Sequence, residues 1–257
     1  MAYNFGSGIV LVTPEFDEFG VEIPVNERNP LIVGTVQEAS LDFNKETKEL
    51  FGSDSQFAKA IATGQMSIGG KVKFGQINAD VLSAVFFGKT LTNGIYAINY
   101  DSVGTVIPSG GIVTVTPPKA GDFEANKGVV LKAGSVAMKR VASSPSAGQY
   151  SVNEGTGEYT FATADVGKVV FITYAYTATS TSAKTATFGS IAMGLTPSFQ
   201  LDLDINYGGK DTTFSLLKCV SSKLTYATKY NEFTTPEFEF KAQQNEDGDV
   251  IRIGAPV

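Results

Sequence analysis

Phe199-Gln200-Leu201-Asp202-Leu203-Asp204-Ile205-Asn206-Tyr207 decides the fold class. Phe199, Leu201, Leu203, Ile205 and Tyr207 fall on one side of an extended chain, and Gln200, Asp202, Asp204 and Asn206 on the other. Period-two alternation of this length specifies a strand with one buried and one wetted face. Outward from this stretch the same signal recurs at 67–74, 94–100, 112–116, 169–177, 212–220, 223–230 and 237–243, with the short Ile251-Arg252-Ile253 after the turn Glu246-Asp247-Gly248-Asp249. Gly, Pro and Asn punctuate these runs at short intervals, as in an all-β chain.

Two segments read as helices. Ser53 with Gln56 forms a capping box, Phe57 and Ile61 then share a face, and Gly64 can end the helix. A second helix starts at Asn78, turns Val81, Leu82, Val85 and Phe86 inward, and stops near Gly88. The class is therefore mainly β with one or two short helices. Composition shifts near Asp101 and again near Thr185. Between them the chain is rich in Val, Gly, Ser, Pro and Thr, and carries a hairpin signal at 149–161 and a strong strand at 169–177. The expected organisation is a discontinuous core, 1–102 with 188–257, and an inserted small all-β domain, 103–187.

Composition excludes many chemistries. The 257 residues include no His, no Trp and one Cys. Without His there is no Ser-His-Asp triad, no Cys-His pair and no HExxH zinc site. One Cys excludes an internal disulfide. The net charge of -6 argues against a nucleic-acid grip through basic stripes. Charged residues make up 18% of the chain, against roughly 25% for a typical soluble domain. A charge-poor surface suits a protein that covers much of itself with partners. No positive n-region, signal h-region or apolar run of membrane-spanning length is legible, and no Asn-x-Ser/Thr sequon occurs. The expectation is an intracellular origin.

Several patterns imitate chemical motifs and dissolve on inspection. Gly88-Lys89-Thr90 ends like a P-loop, but Ala84, Val85, Phe86 and Phe87 are too bulky to cradle phosphates. Asp202, Asp204 and Asn206 imitate the first EF-hand ligands, yet Tyr207 and Thr213 stand where Gly and Glu are required. Glu237 with Glu239, and Asp202 with Asp204, are same-face carboxylate pairs roughly 7 Å apart, as on any wetted strand. Cys219 lies within a strand and reads as a small core residue. No catalysis, cofactor or metal is expected.

One block is distinctive. Gln149-Tyr150-Ser151-Val152, Glu158-Tyr159-Thr160-Phe161, Ala164-Asp165-Val166-Gly167-Lys168 and Val169-Val170-Phe171-Ile172-Thr173-Tyr174-Ala175-Tyr176 follow one another. This order resembles a block found in structural proteins of tailed bacteriophages. Glu49-Leu50-Phe51-Gly52 followed by Lys71-Val72-Lys73-Phe74, and the C-terminal Lys223-Leu224, 233–240 and 247–251, resemble tail tube (major tail) proteins. Together these segments cover about two thirds of the chain.

The resemblance implies a β-sandwich or split-barrel core with a flanking helix and an inserted Ig-like domain on the tube exterior. It implies a subunit that assembles with itself into hexameric rings, stacked on a tape-measure protein that DNA later replaces in the lumen. The location implied is the virion; an exposed inserted domain would leave little room for a sheath, so the expectation is a non-contractile tail. Asp202, Asp204, Glu237 and Glu239 are then the candidate acidic face of the lumen, which repels DNA rather than binding it. The stretch 38–51 is the candidate inter-ring arm: strand, charged turn Asn44-Lys45-Glu46-Thr47-Lys48, strand. Its charged members are Asp42, Lys45, Glu46, Lys48 and Glu49. The rival expectations are a head decoration or tail completion protein, and a glycan-binding β module built on 103–187.

Overall fold

A computed structural model describes residues 6, 8–17, 21–52, 56–76, 78–88, 91–185, 187 and 196–256. The protein is mainly β, with antiparallel sheets and one short helix. The chain divides into two compact units, 1–91 with 186–257 and 92–185. The second unit begins earlier than the composition change at Asp101 suggests. The reason is pairing: Ile95–Tyr100 lies antiparallel to Val169–Ala178 throughout its length, so it belongs to the inserted sheet.

The first unit is built on one eight-stranded sheet among the described residues. Its order is Leu31–Ile32, Ile9–Pro14, Ser198–Tyr207, Lys210–Thr225, Glu237–Ala242, Ala58–Phe74 and Val36–Phe51, with Ile251–Gly254 also on Lys210–Thr225. The opening stretch behaves as its alternation requires. Leu201 and Leu203 are buried, while Asp202 and Asp204 face away from the core. Val10, Val12, Leu216, Phe238, Phe240, Val72 and Phe74 complete one continuous apolar face. The Asn78 side chain accepts a hydrogen bond from Asp80 N, capping a helix at Ala79–Leu82 that continues as a π-turn, Ser83–Phe87. Val81 and Val85 pack into the core, and Gly88 closes the segment in a left-handed conformation. Leu82 and Phe86 are only half-buried.

The other expected helix does not form. Ala58–Phe74 is a single strand, and Gly64 faces Glu46 at a register shift rather than ending a helix. Ser53 lies outside the described residues. The four-residue spacing of Phe57 and Ile61 is a weak local preference. A full backbone ladder to Val36–Phe51 supplies what a two-turn helix cannot. The run 212–220 continues through 223–225 as one strand, Lys210–Thr225, while 226–230, expected as strand, lies outside it.

The second unit is a two-sheet sandwich. One sheet joins Val136–Ala137, Asp122–Leu131, Val169–Ala178 and Ile95–Tyr100, with Thr105–Val106 also on Val169–Ala178. The other joins Lys139–Arg140, Gln149–Asn153, Glu158–Phe161 and Ile112–Thr114. Tyr150, Tyr159, Phe161, Ile172, Tyr174 and Tyr176 fill the space between them. The Tyr150 and Tyr159 rings stack at 5.9 Å. The Tyr159 hydroxyl donates to Asn126 Oδ1 at 3.0 Å, and Asn126 Nδ2 donates to the Tyr150 oxygen at 3.0 Å. Asp165, also buried, accepts from Gly148 N and Lys168 Nζ, both at 2.7 Å.

Candidate functional site

The four candidate luminal carboxylates share one face of the first unit's sheet, because their neighbours Leu201, Leu203, Phe238 and Phe240 all point into the same core. Their surroundings differ. Glu239 lies between Lys71 and Lys223 in register, and its Oε1 is 2.9 Å from Lys223 Nζ. Glu237 is opposite Lys73, and Lys71 reaches Glu38 at 3.3 Å. Hydrogen bonds and charge from Glu239 and Glu38 raise the pKa of Lys223 and Lys71. With Asp42 and Lys241 in the same outward register, this part of the face interleaves acids with lysines instead of presenting bare negative charge.

Asp202 and Asp204 stand apart from that ladder. Both Asp202 oxygens accept from Gln200 Nε2 at 3.0 Å. Asp204 Oδ1 accepts from Thr213 Oγ1 at 2.6 Å. Their cross-strand neighbours are Leu11 and Ser215, and Ile9 and Thr213. No lysine is opposite either one. Sequence reasoning saw four equivalent aspartates and glutamates; it missed the lysines, which reach Glu237 and Glu239 only through pairing across three strands.

The candidate arm differs from its expected form. Asn44-Lys45-Glu46-Thr47-Lys48 is not a turn but the middle of one 16-residue strand, Val36–Phe51. That strand pairs with Ala58–Phe74 along nearly its whole length. A turn there was inferred from polarity, yet alternation can continue through charged residues when both faces meet water. Among the described residues, only Gly69 to Lys73 of the second strand has Glu237–Ala242 on its other side. Beyond Gly69 the two strands form a ribbon. From Phe43 to Phe51 it extends about 27 Å, at roughly 3.4 Å per residue.

The ribbon has two unlike faces. Ile68 is buried and Phe43 lies opposite it, so their face continues the core side of the sheet. Following the register outward, this face carries Lys45 with Met66, Thr47 with Thr63, Glu49 with Ile61, and Phe51 with Ala58. The other carries Asp42, Asn44 with Ser67, Glu46, Lys48 with Ala62, and Leu50 with Ala60. Phe43, Met66, Ile61 and Phe51 are 46% to 65% exposed. The apolar stripe that fills the core thus runs on past the core into solvent. An isolated two-stranded hairpin is at best marginally stable in water, and this one leaves Phe43, Phe51, Ile61 and Met66 exposed.

The remaining candidate group is inert. Cys219 is fully buried, and burial pushes its thiol up to about 12, which leaves no thiolate near neutral pH. Among the described residues no cluster of three or more His, Cys, Asp or Glu could hold a metal ion. No helix among them is long and apolar enough to cross a membrane. No family model and no curated protein matches the chain.

Proposed function

We propose that the chain is a structural subunit of a phage tail tube, assembling with itself into stacked rings around a lumen that holds the tape-measure protein and later DNA. The observation that carries this reading is the ribbon, 43–51 with 58–67. It extends the core's apolar stripe beyond the subunit's own core, and burial of each large apolar side chain by a neighbour contributes about 1.5–3 kcal/mol. Four such residues make a strong drive to associate, while Lys45 and Glu49 on the same face set register. Val36–Phe51 is also the end strand of its sheet, and pairing between copies removes such edges.

On this reading Asp202 and Asp204 are the better candidates for the luminal wall, because Glu237 and Glu239 are already matched by lysines. On this reading the inserted sandwich would be exterior decoration, leaving little room for a sheath, and we infer a non-contractile tail. The test is negative-stain electron microscopy of the purified chain across a concentration series, beside an Ile61→Lys/Met66→Lys variant. Rods with a central hole in the parent and dispersed subunits in the variant support the reading. Identical small particles in both at every concentration would remove the ribbon as an assembly element. Closed particles of fixed size, abolished by the variant, would favour the decoration protein instead. A second test addresses the lumen: Asp202→Lys/Asp204→Lys should leave rods intact but slow DNA release from particles carrying it. Release at the parental rate would count against a luminal position.

A further inference from the structure

The sandwich of the second unit has unequal edges. On one side both sheets end in strands of two residues, Val136–Ala137 and Lys139–Arg140, short and partly charged as protected edges are. On the other, the first sheet ends in Ile95–Tyr100, six residues in unbroken register with Val169–Ala178. Ile95-Tyr96-Ala97-Ile98-Asn99-Tyr100 contains no charge, no proline and no bulge. Among the described residues no strand pairs with its outer side, and the short pair of Thr92–Asn93 with Lys184–Thr185 ends before it, at Gly94 N on Ala183 O.

The hydrogen-bond phase shows what this edge offers. Asp101 N donates to Ile172 O at 3.3 Å, which sets the odd-numbered residues as those that bond to Val169–Ala178. Tyr96, Ile98 and Tyr100 therefore turn their N–H and C=O groups to the open edge. Their side chains stand together on the outer face, 49%, 60% and 65% exposed.

We propose that this edge pairs with the same edge of a second copy of the chain, antiparallel about a two-fold axis through Ile98. In that register Tyr96 faces the partner's Tyr100, Ile98 faces the partner's Ile98, and no like charges meet. Each of Tyr96, Ile98 and Tyr100 donates one N–H and accepts at one C=O. Aromatic and β-branched residues opposite one another are the favourable cross-strand pairs. Any strand could use the backbone groups; the self-matching side chains select a second copy. Six residues a side bury less than the roughly 800 Å² per partner of a stable interface, so the contact forms at high local concentration. A two-fold contact cannot repeat within a polar stack of rings, so it joins copies outside one ring and stands independently of the tube reading.

The test uses the full chain carrying Ile61→Lys/Met66→Lys, so that ribbon-driven assembly does not contribute. Ile98→Cys in this background, under mild oxidation at about 100 μM, should convert most of the chain to covalent dimer, since paired Cα atoms about 5.5 Å apart suit a disulfide. Cys219 is buried and does not compete. Tyr96→Cys or Tyr100→Cys alone should cross-link at least tenfold less, and an equal mixture of the two should restore it. Tyr100→Lys should abolish the concentration-dependent rise in sedimentation coefficient. Monomeric Ile98→Cys chain under oxidation overturns the proposal, and so does equal cross-linking at positions 96, 98 and 100.

Discussion

The inserted sandwich and the projecting ribbon are built from the same kind of strand and reach opposite ends of self-sufficiency. In the sandwich, two sheets face each other and every large side chain between them finds a partner in the same unit. Tyr159 is enclosed, its ring against Tyr150 and Phe123 and its hydroxyl on Asn126. In the ribbon, two strands of 16 and 17 residues pair faithfully, yet among the described residues no second sheet covers their outer halves. Backbone pairing alone does not make a stable object; a face needs something to bury it. The sandwich buries its large side chains within its own unit; the ribbon satisfies its backbone hydrogen bonds but leaves its apolar side chains exposed.

That contrast can be broken from the body outward. Tyr159→Ala should cost about 3–5 kcal/mol, the range for emptying a large aromatic site in a core, and calorimetry should show loss of the sandwich's unfolding transition near ambient temperature. Asp165→Asn comes next. Burial alone would raise the Asp165 pKa, but hydrogen bonds from Lys168 and Gly148 N outweigh it and hold the carboxyl below its ordinary value. A depressed folded pKa contributes stability that is present above the ordinary carboxylate pKa and is lost as pH falls through the folded one. The parent should therefore lose stability below about pH 4. The variant should start about 1.5–3 kcal/mol lower, the range for hydrogen bonds to a charged group, and show a flatter dependence there, read from Tm between pH 3 and 7.

At the root of the ribbon, Gly70→Ala should destabilise the first unit by about 1–3 kcal/mol. A Cβ at Gly70 would lie 2.1 Å from Ser40 O and 2.9 Å from Phe240 Cζ, so backbone must shift. Denaturant midpoints for the first unit would show it; an unchanged midpoint would mean that the sheet is looser at its root than its geometry implies. At the outer ribbon, Ile61→Lys should change subunit stability by less than about 0.5 kcal/mol while removing self-assembly. This pairing of smallest folding effect with loss of assembly is the sharpest form of the contrast, and a large folding defect there would erase it.

Much of this was legible in the residues. Phe199 to Tyr207 alternates in the sequence as in the sheet, the 149–161 hairpin forms where Asn153 and Gly157 mark its turn, and Asn78 and Gly88 bound the helical segment. Ala58 to Gly64 was misread because a local four-residue spacing says nothing of a partner strand ten or more residues away. The charged middle of Val36–Phe51 was misread as a turn because polarity was taken for a break in pairing. Of the candidate site, the outward direction of Asp202, Asp204, Glu237 and Glu239 follows from period two alone. Their inequivalence does not, since Lys71, Lys73 and Lys223 meet the glutamates only after three strands align.

The sequence by itself determined the β class, the wetted and buried faces of each strong strand, the absence of His chemistry and the presence of a second β unit. Each of these depends on residue type and on neighbours within a few positions. Only the tertiary structure decided where the inserted unit begins, which carboxylates are matched by lysines, and that an apolar stripe leaves its own core along a bare ribbon. Those are facts of register between distant strands, where a shift of one residue turns every side chain to the opposite face.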